Sequence, residues 1–104
     1  MLPAILDRRD EIGNLCRRFG IVRLEVFGSA ARGVDFDASR SDIDFLVDPG
    51  ERSLTLIEYL DLKGELETLF GRSVDLIERR TIEESRNYIR RRNILQNAQV
   101  VYAA

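Results

Sequence analysis

Histidine is absent from the 104 residues of this chain, and cysteine occurs once. Without histidine there is no His-based triad, no imidazole general base and no ordinary His-containing zinc site. A single cysteine closes no intrachain disulfide, which sets an intracellular compartment as the default expectation. Long apolar runs are also missing: none approaches the roughly 20 residues that span a bilayer. The opening MLPAILDRRDE lacks the basic, apolar, small-residue order of a signal peptide. A cytoplasmic protein with no membrane association is therefore expected. Its chemistry must rest on carboxylates, hydroxyls and arginines, with or without a hard metal ion.

What is present suits one globular domain over residues 1–104, with 44% apolar and 33% charged residues and a net charge of −2. That small net charge hides an asymmetry. Residues 35–67 carry ten acids against three bases, whereas residues 68–104 carry seven arginines against four acids. A chain built to lie along nucleic acid would be basic over its whole contact face, so nucleic acid is not expected as the direct substrate.

Periodicity gives the order α-β-α-β-α-β-α. Ile12, Leu15, Cys16 and Phe19 fall on one face of a helix over 4–19, stopped by Gly20. Residues 21–27 read as a strand rich in branched and aromatic side chains. Residues 43–47 form a second strand, ended by Pro49-Gly50. A helix over 53–70 carries Leu62, Leu66, Leu69 and Phe70 on one side and stops at Gly71, before a third strand, SVDLIE, at 73–78. Thr81 and Glu84 have capping-box spacing and predict a helix from 82 into the nineties. A long helix between the second and third strands makes them parallel neighbours or near neighbours. The fold class expected is α/β or α+β, with a small central mixed sheet of about three to four strands flanked by helices.

Two stretches carry candidate chemistry. The first strand ends in VFGSAARG, residues 26–33. A strand that only had to reverse would favour Asn-Gly or Asp-Gly. Here a glycine turn is followed by helix formers, with Ser29 as a favoured N-cap, so strand, tight turn and helix start are predicted, with outward amides suited to an anion. It is neither a Walker A sequence nor G-x-G-x-x-G. The second stretch is Asp42-Ile43-Asp44. In a strand both carboxylates project to one side, with Cα atoms about 7 Å apart. Two converging carboxylates repel unless a cation or proton lies between them, and oxygen ligands alone suit Mg²⁺ or Mn²⁺. An EF-hand is excluded, because Leu46 and Val47 fall where its fifth and sixth loop residues belong. Asp75, between Val74 and Leu76, completes a three-carboxylate cluster if its strand neighbours the second.

Gly28-Ser29, twelve residues, then Asp42-Ile43-Asp44 resembles the GS-x(10–13)-D-x-D signature of the polymerase-β-type nucleotidyltransferase superfamily. EVFGSAARG, SDIDFLV and VDLIE together resemble most closely the minimal nucleotidyltransferases of the MNT (MntA-type) antitoxin kind, over nearly the whole chain. The resemblance implies a polymerase-β-like palm that transfers AMP from ATP to a tyrosine of a cognate HEPN-domain toxin and releases pyrophosphate. It implies that Gly28 and Ser29 hold the β- and γ-phosphates, that Asp42, Asp44 and Asp75 ligate two Mg²⁺ ions, and that Asp75 favours loss of the acceptor proton. Arg32 is placed either to neutralise phosphate or as a solvated arginine, and Ser41 to orient Asp42 or to bind nucleotide. Two competing functions stay open: a non-catalytic antitoxin that neutralises its toxin by occlusion, and a nucleotidyltransferase for small molecules. The second usually needs a further helical domain. Homo- or hetero-oligomers are compatible with either. Cys16 is expected in the core, and Arg90-Arg91-Arg92 as a solvated, partner-facing or RNA-touching stripe.

Overall fold

The fold was obtained as a computed structural model and describes residues 1–33 and 42–104. Its elements are α1 (Pro3–Asp7), α2 (Arg9–Phe19), β1 (Arg23–Phe27), α3 (Gly28–Arg32), β2 (Ile43–Asp48), α4 (Leu56–Phe70), β3 (Val74–Glu78), α5 (Arg79–Glu83), α6 (Tyr88–Asn97) and β4 (Gln99–Ala103). The sheet order is β3-β2-β1-β4. β2 and β3 run parallel with α4 as their crossover, as the long connection implies, while β1 is antiparallel to β2 and to β4. The mixed sheet flanked by helices is an α+β fold.

Three readings of the sequence need correction. The first helix is two, because Arg8 leaves helical geometry (φ −111°, ψ 17°) between them. The capping box at Thr81 does not form. α5 begins at Arg79 directly after β3, which puts Thr81 inside a short helix whose Ile82 must be buried. The next cap is instead Asn87, whose side chain accepts from the Arg90 amide at 3.1 Å. A fourth strand then returns after α6. QVVYA is short, and without β1 to pair with it has no reason to be extended.

Gly20 and Gly71 do end their helices, both in the left-handed region (φ 69° and 64°). α4 also starts where chemistry dictates. The Thr55 hydroxyl accepts from the Glu58 amide at 3.1 Å, and the Glu58 carboxylate accepts in turn from the Thr55 amide at 3.1 Å.

Strand alternation splits the sheet into two faces. Leu24, Val26, Ile43, Phe45, Val47, Val74 and Leu76 pack with Ile12, Leu15, Cys16, Leu62 and Leu66 from α2 and α4. Truncating a fully buried residue such as Phe45 to alanine would cost about 3–5 kcal/mol. Cys16 belongs to this core as expected, and burial pushes its thiol up to about 12. The opposite face is smaller. Phe27, Leu46 and Ile82 cluster there, with Ile94, Leu95 and Ala98 packed against them. α5 and α6 thus cover only part of that face, and the uncovered end carries the acidic residues.

Candidate active site

The β1–β2–β3 register assembles the acidic end. Phe27 lies opposite Asp44 across the antiparallel pair, and Asp44 lies opposite Asp75 across the parallel pair. Asp44 is half-buried and Asp75 exposed, while Asp42 sits exposed just before β2. β2 starts at Ile43, as read from the sequence, so Asp42 belongs to the lead-in and not to the strand in which the acid-x-acid reading set it.

Immediately after Phe27 the chain turns at Gly28, with φ 69°. A Cβ built on Gly28 would stand 2.6 Å from Asp44 Oδ2. The glycine is therefore required twice, by a backbone angle that L-residues rarely adopt and by the carboxylate that occupies the side-chain space. Its bareness serves the approach of Asp44. Ser29 is not the cap read from sequence: α3 begins at Gly28, with extended Phe27 as its N-cap, and Ser29 is a half-buried first-turn residue. α3 has only five residues, so its dipole adds little. Arg32 ends α3, exposed, before Gly33. Ser41 lies outside the described residues.

The electrostatics agree with the placement. The Asp44 carboxyl is pushed up to about 6, first by burial, then by the Asp75 charge, then by that of Asp42. All three carboxylates thus act on one locality. Among the described residues, no group of three acidic or cysteine side chains is gathered so as to hold a metal ion by itself. The three-carboxylate cluster expected from the sequence is thus not gathered there, although Asp44 and Asp75 share a register position. The donor set is all oxygen, as a hard cation requires.

One neighbouring feature was not legible in the sequence. α6 crosses beside α3, leaving a groove of about 320 Å³ over Phe27 and Ile94, walled by Gly28, Arg32, Arg90, Asn93 and Asn97. The three α6 residues share one helix face, a spacing visible in the sequence but meaningless until α3 lies opposite. The arginine run divides. The Arg91 guanidinium donates to the Ser85 carbonyl at 2.9 Å, Arg92 reaches the Tyr88 hydroxyl at 3.4 Å, and Arg90 lines the groove.

Glu25, also unnoticed, is buried at 3% exposure one residue pair up the same sheet face. It is ion-paired to Arg79 at the start of α5 and to Arg23 at 3.4 Å. Arg79 also reaches Glu83 at 3.4 Å, which ties α5 to β1 across the sheet.

Comparison with known proteins agrees with the fold and with the family that the sequence resembles. The model of the nucleotidyltransferase domain family matches residues 11–101. The protein adenylyltransferase MntA of Thermococcus cleftensis is 38% identical over 69 residues, which are 66% of this chain and 67% of that relative. A solved structure of a candidate minimal nucleotidyltransferase is 37% identical with a TM-score of 0.69, covering 90% of this chain and 89% of that one. A second solved structure, of a tri-AMPylated Shewanella oneidensis HEPN toxin in complex with MNT antitoxin, shares the fold at 19% identity. Its TM-score is 0.65, with 96% of this chain and 73% of that one covered. With the family model spanning most of the sequence and the relative 38% identical, the chain belongs to the nucleotidyltransferase domain family as a minimal, MntA-type member.

Proposed function

We propose that this nucleotidyltransferase is an antitoxin that uses ATP and Mg²⁺ to transfer AMP to a tyrosine hydroxyl of a cognate HEPN-domain toxin. The observation that carries the reading is the pairing of Asp44 with Asp75 directly under the Gly28 turn. A protein-adenylyltransferase relative and the fold shared with an antitoxin bound to an AMPylated HEPN toxin support the acceptor.

Asp42 and Asp44 would hold the metal, which when bound offsets phosphate charge and lowers the pKa of the acceptor hydroxyl. Asp44 is the pivot, sharing a register position with Asp75 and touching the turn that presents Ser29. Ser29 donates its hydroxyl to the polyphosphate. Asp75, exposed at the strand end, meets the acceptor and favours release of its proton. The hydroxyl oxygen bonds to the α-phosphorus, the bond to the bridging oxygen breaks, and its electron pair leaves with pyrophosphate.

The test is intact mass spectrometry of the HEPN protein after incubation with ATP, Mg²⁺ and a small molar fraction of this chain. Catalysis raises the toxin mass in steps of one adenylate at substoichiometric ratios. Protection only at equal stoichiometry, without mass change and retained by Asp42→Asn with Asp44→Asn, would establish occlusion instead.

A further inference from the structure

The groove between α3 and α6 brings one more cation to the phosphate turn. Arg32 ends α3 on one wall, and Arg90 stands on the other with Asn93 and Asn97 along the same face of α6. Asn97 is already engaged, donating to the Asn93 carbonyl at 2.7 Å. The Arg90 guanidinium makes no hydrogen bond or ion pair among the described residues, unlike Arg91 and Arg92 beside it. Among the described residues no carboxylate lines the groove, while Asp44 meets the same Gly28 that forms part of the wall. Among the described residues the cleft is therefore polarised, with the Asp44 carboxylate on one side of Gly28 and Arg32 and Arg90 on the other.

A polarised cleft of this kind matches an extended polyanion whose reacting phosphorus lies at the carboxylate end. We propose that Arg90 receives the β- and γ-phosphates in this groove and neutralises the pyrophosphate as it leaves, an inference that rests on the nucleotidyl-transfer reading above. Negative charge on the bridging oxygen grows as the bond to the α-phosphorus breaks. A guanidinium held on α6 meets it with charge-assisted, two-pronged hydrogen bonds that a lysine does not reproduce. α6 thereby becomes part of the substrate site and not only a cover for the sheet.

Titration calorimetry of the full chain with MgATP, AMP and magnesium pyrophosphate tests this, alongside single-turnover transfer. Arg90→Ala is expected to weaken MgATP and pyrophosphate binding by roughly tenfold or more, since hydrogen bonds to charged groups carry that weight. AMP binding should stay as in the wild type. Arg90→Lys should recover part of the pyrophosphate affinity, and turnover should fall further than MgATP binding alone explains. Arg92→Ala removes the same charge outside the groove and should leave all three affinities unchanged. Wild-type pyrophosphate affinity in Arg90→Ala, in a protein that still transfers AMP, would overturn the role of Arg90 alone. So would an equal loss of AMP binding, which would make Arg90 a nucleoside contact. If the wild-type chain bound neither MgATP nor pyrophosphate, this inference and the transferase reading would both fall.

Discussion

Asp44 Oδ2 occupies the space that a side chain on Gly28 would need, 2.6 Å from where its Cβ would stand. The glycine turn and the acidic pair, separated by thirteen residues, are thereby one steric unit. Gly28→Ala is expected to destabilise the protein by about 1–3 kcal/mol and to abolish transfer, through the left-handed backbone and the collision together. Combining it with Asp44→Ala removes the collision and leaves the backbone strain. The double variant should thus be more stable than the sum of the single losses in a urea-unfolding cycle. Strict additivity would show that the two residues do not touch.

Asp44 titrates near 6 because it is part-buried and faces Asp75 and Asp42. The folded state holds this proton more tightly than the unfolded chain, whose ordinary value is 3.8. Its stabilising contribution is full below about pH 4 and is lost as pH rises through about 6. Asp75→Asn removes one repelling charge, so the Asp44 midpoint should fall and the stability lost over that window should shrink. Carboxyl-carbon NMR of the metal-free protein reads the midpoint directly. A midpoint that does not move would leave burial and the Asp42 charge as its causes.

Neutralising the acidic pair should separate chemistry from folding. Asp44→Asn removes a charge that the metal-free fold tolerates poorly, so the melting temperature without metal should hold or rise while transfer disappears. Asp42→Asn should likewise lose transfer without unfolding. A double variant that kept the wild-type melting shift with Mg²⁺ and ATP would refute the assignment of these residues as metal ligands.

Asp75 is expected to matter to turnover more than to binding. Asp75→Asn should keep ATP affinity within about tenfold while the transfer rate falls much further. Unchanged turnover would reduce Asp75 to a strand-end charge.

Glu25 is the buried anion between Arg79 and Arg23. Glu25→Gln leaves the part-buried Arg79 with only the exposed Glu83 as counter-charge, at a cost of roughly 3 kcal/mol in urea unfolding. Arg79 keeps some solvent, which holds the figure at the low end of what broken buried pairs cost. A change below half a kcal/mol would mean that α5 is held by Ile82 packing alone.

Much of this molecule is local chemistry, and local chemistry is written in sequence. Gly20 and Gly71 stop helices because nearest-neighbour backbone sterics favour glycine at positive φ. Ile43, Phe45 and Val47 share a face because strand side chains alternate, and the long α4 connection makes β2 and β3 parallel. The paired motif, Gly28-Ser29 with Asp42 and Asp44, and the candidate third acid Asp75 were legible for the same reason: each is a residue type at a spacing. What no spacing encodes is which strands lie side by side. The choice of Asp44 as partner to both Phe27 and Asp75 is a property of sheet order and register, and the elevated Asp44 pKa follows from that. β4 was hidden because five residues gain extended structure only by pairing with β1. The capping box at Thr81 failed because burying Ile82 against Phe27 and Leu46 outweighs one local hydrogen-bond pair. Arg90 acquired its place beside Gly28 only when α6 packed across α3, since a helix face has no meaning until something stands opposite it.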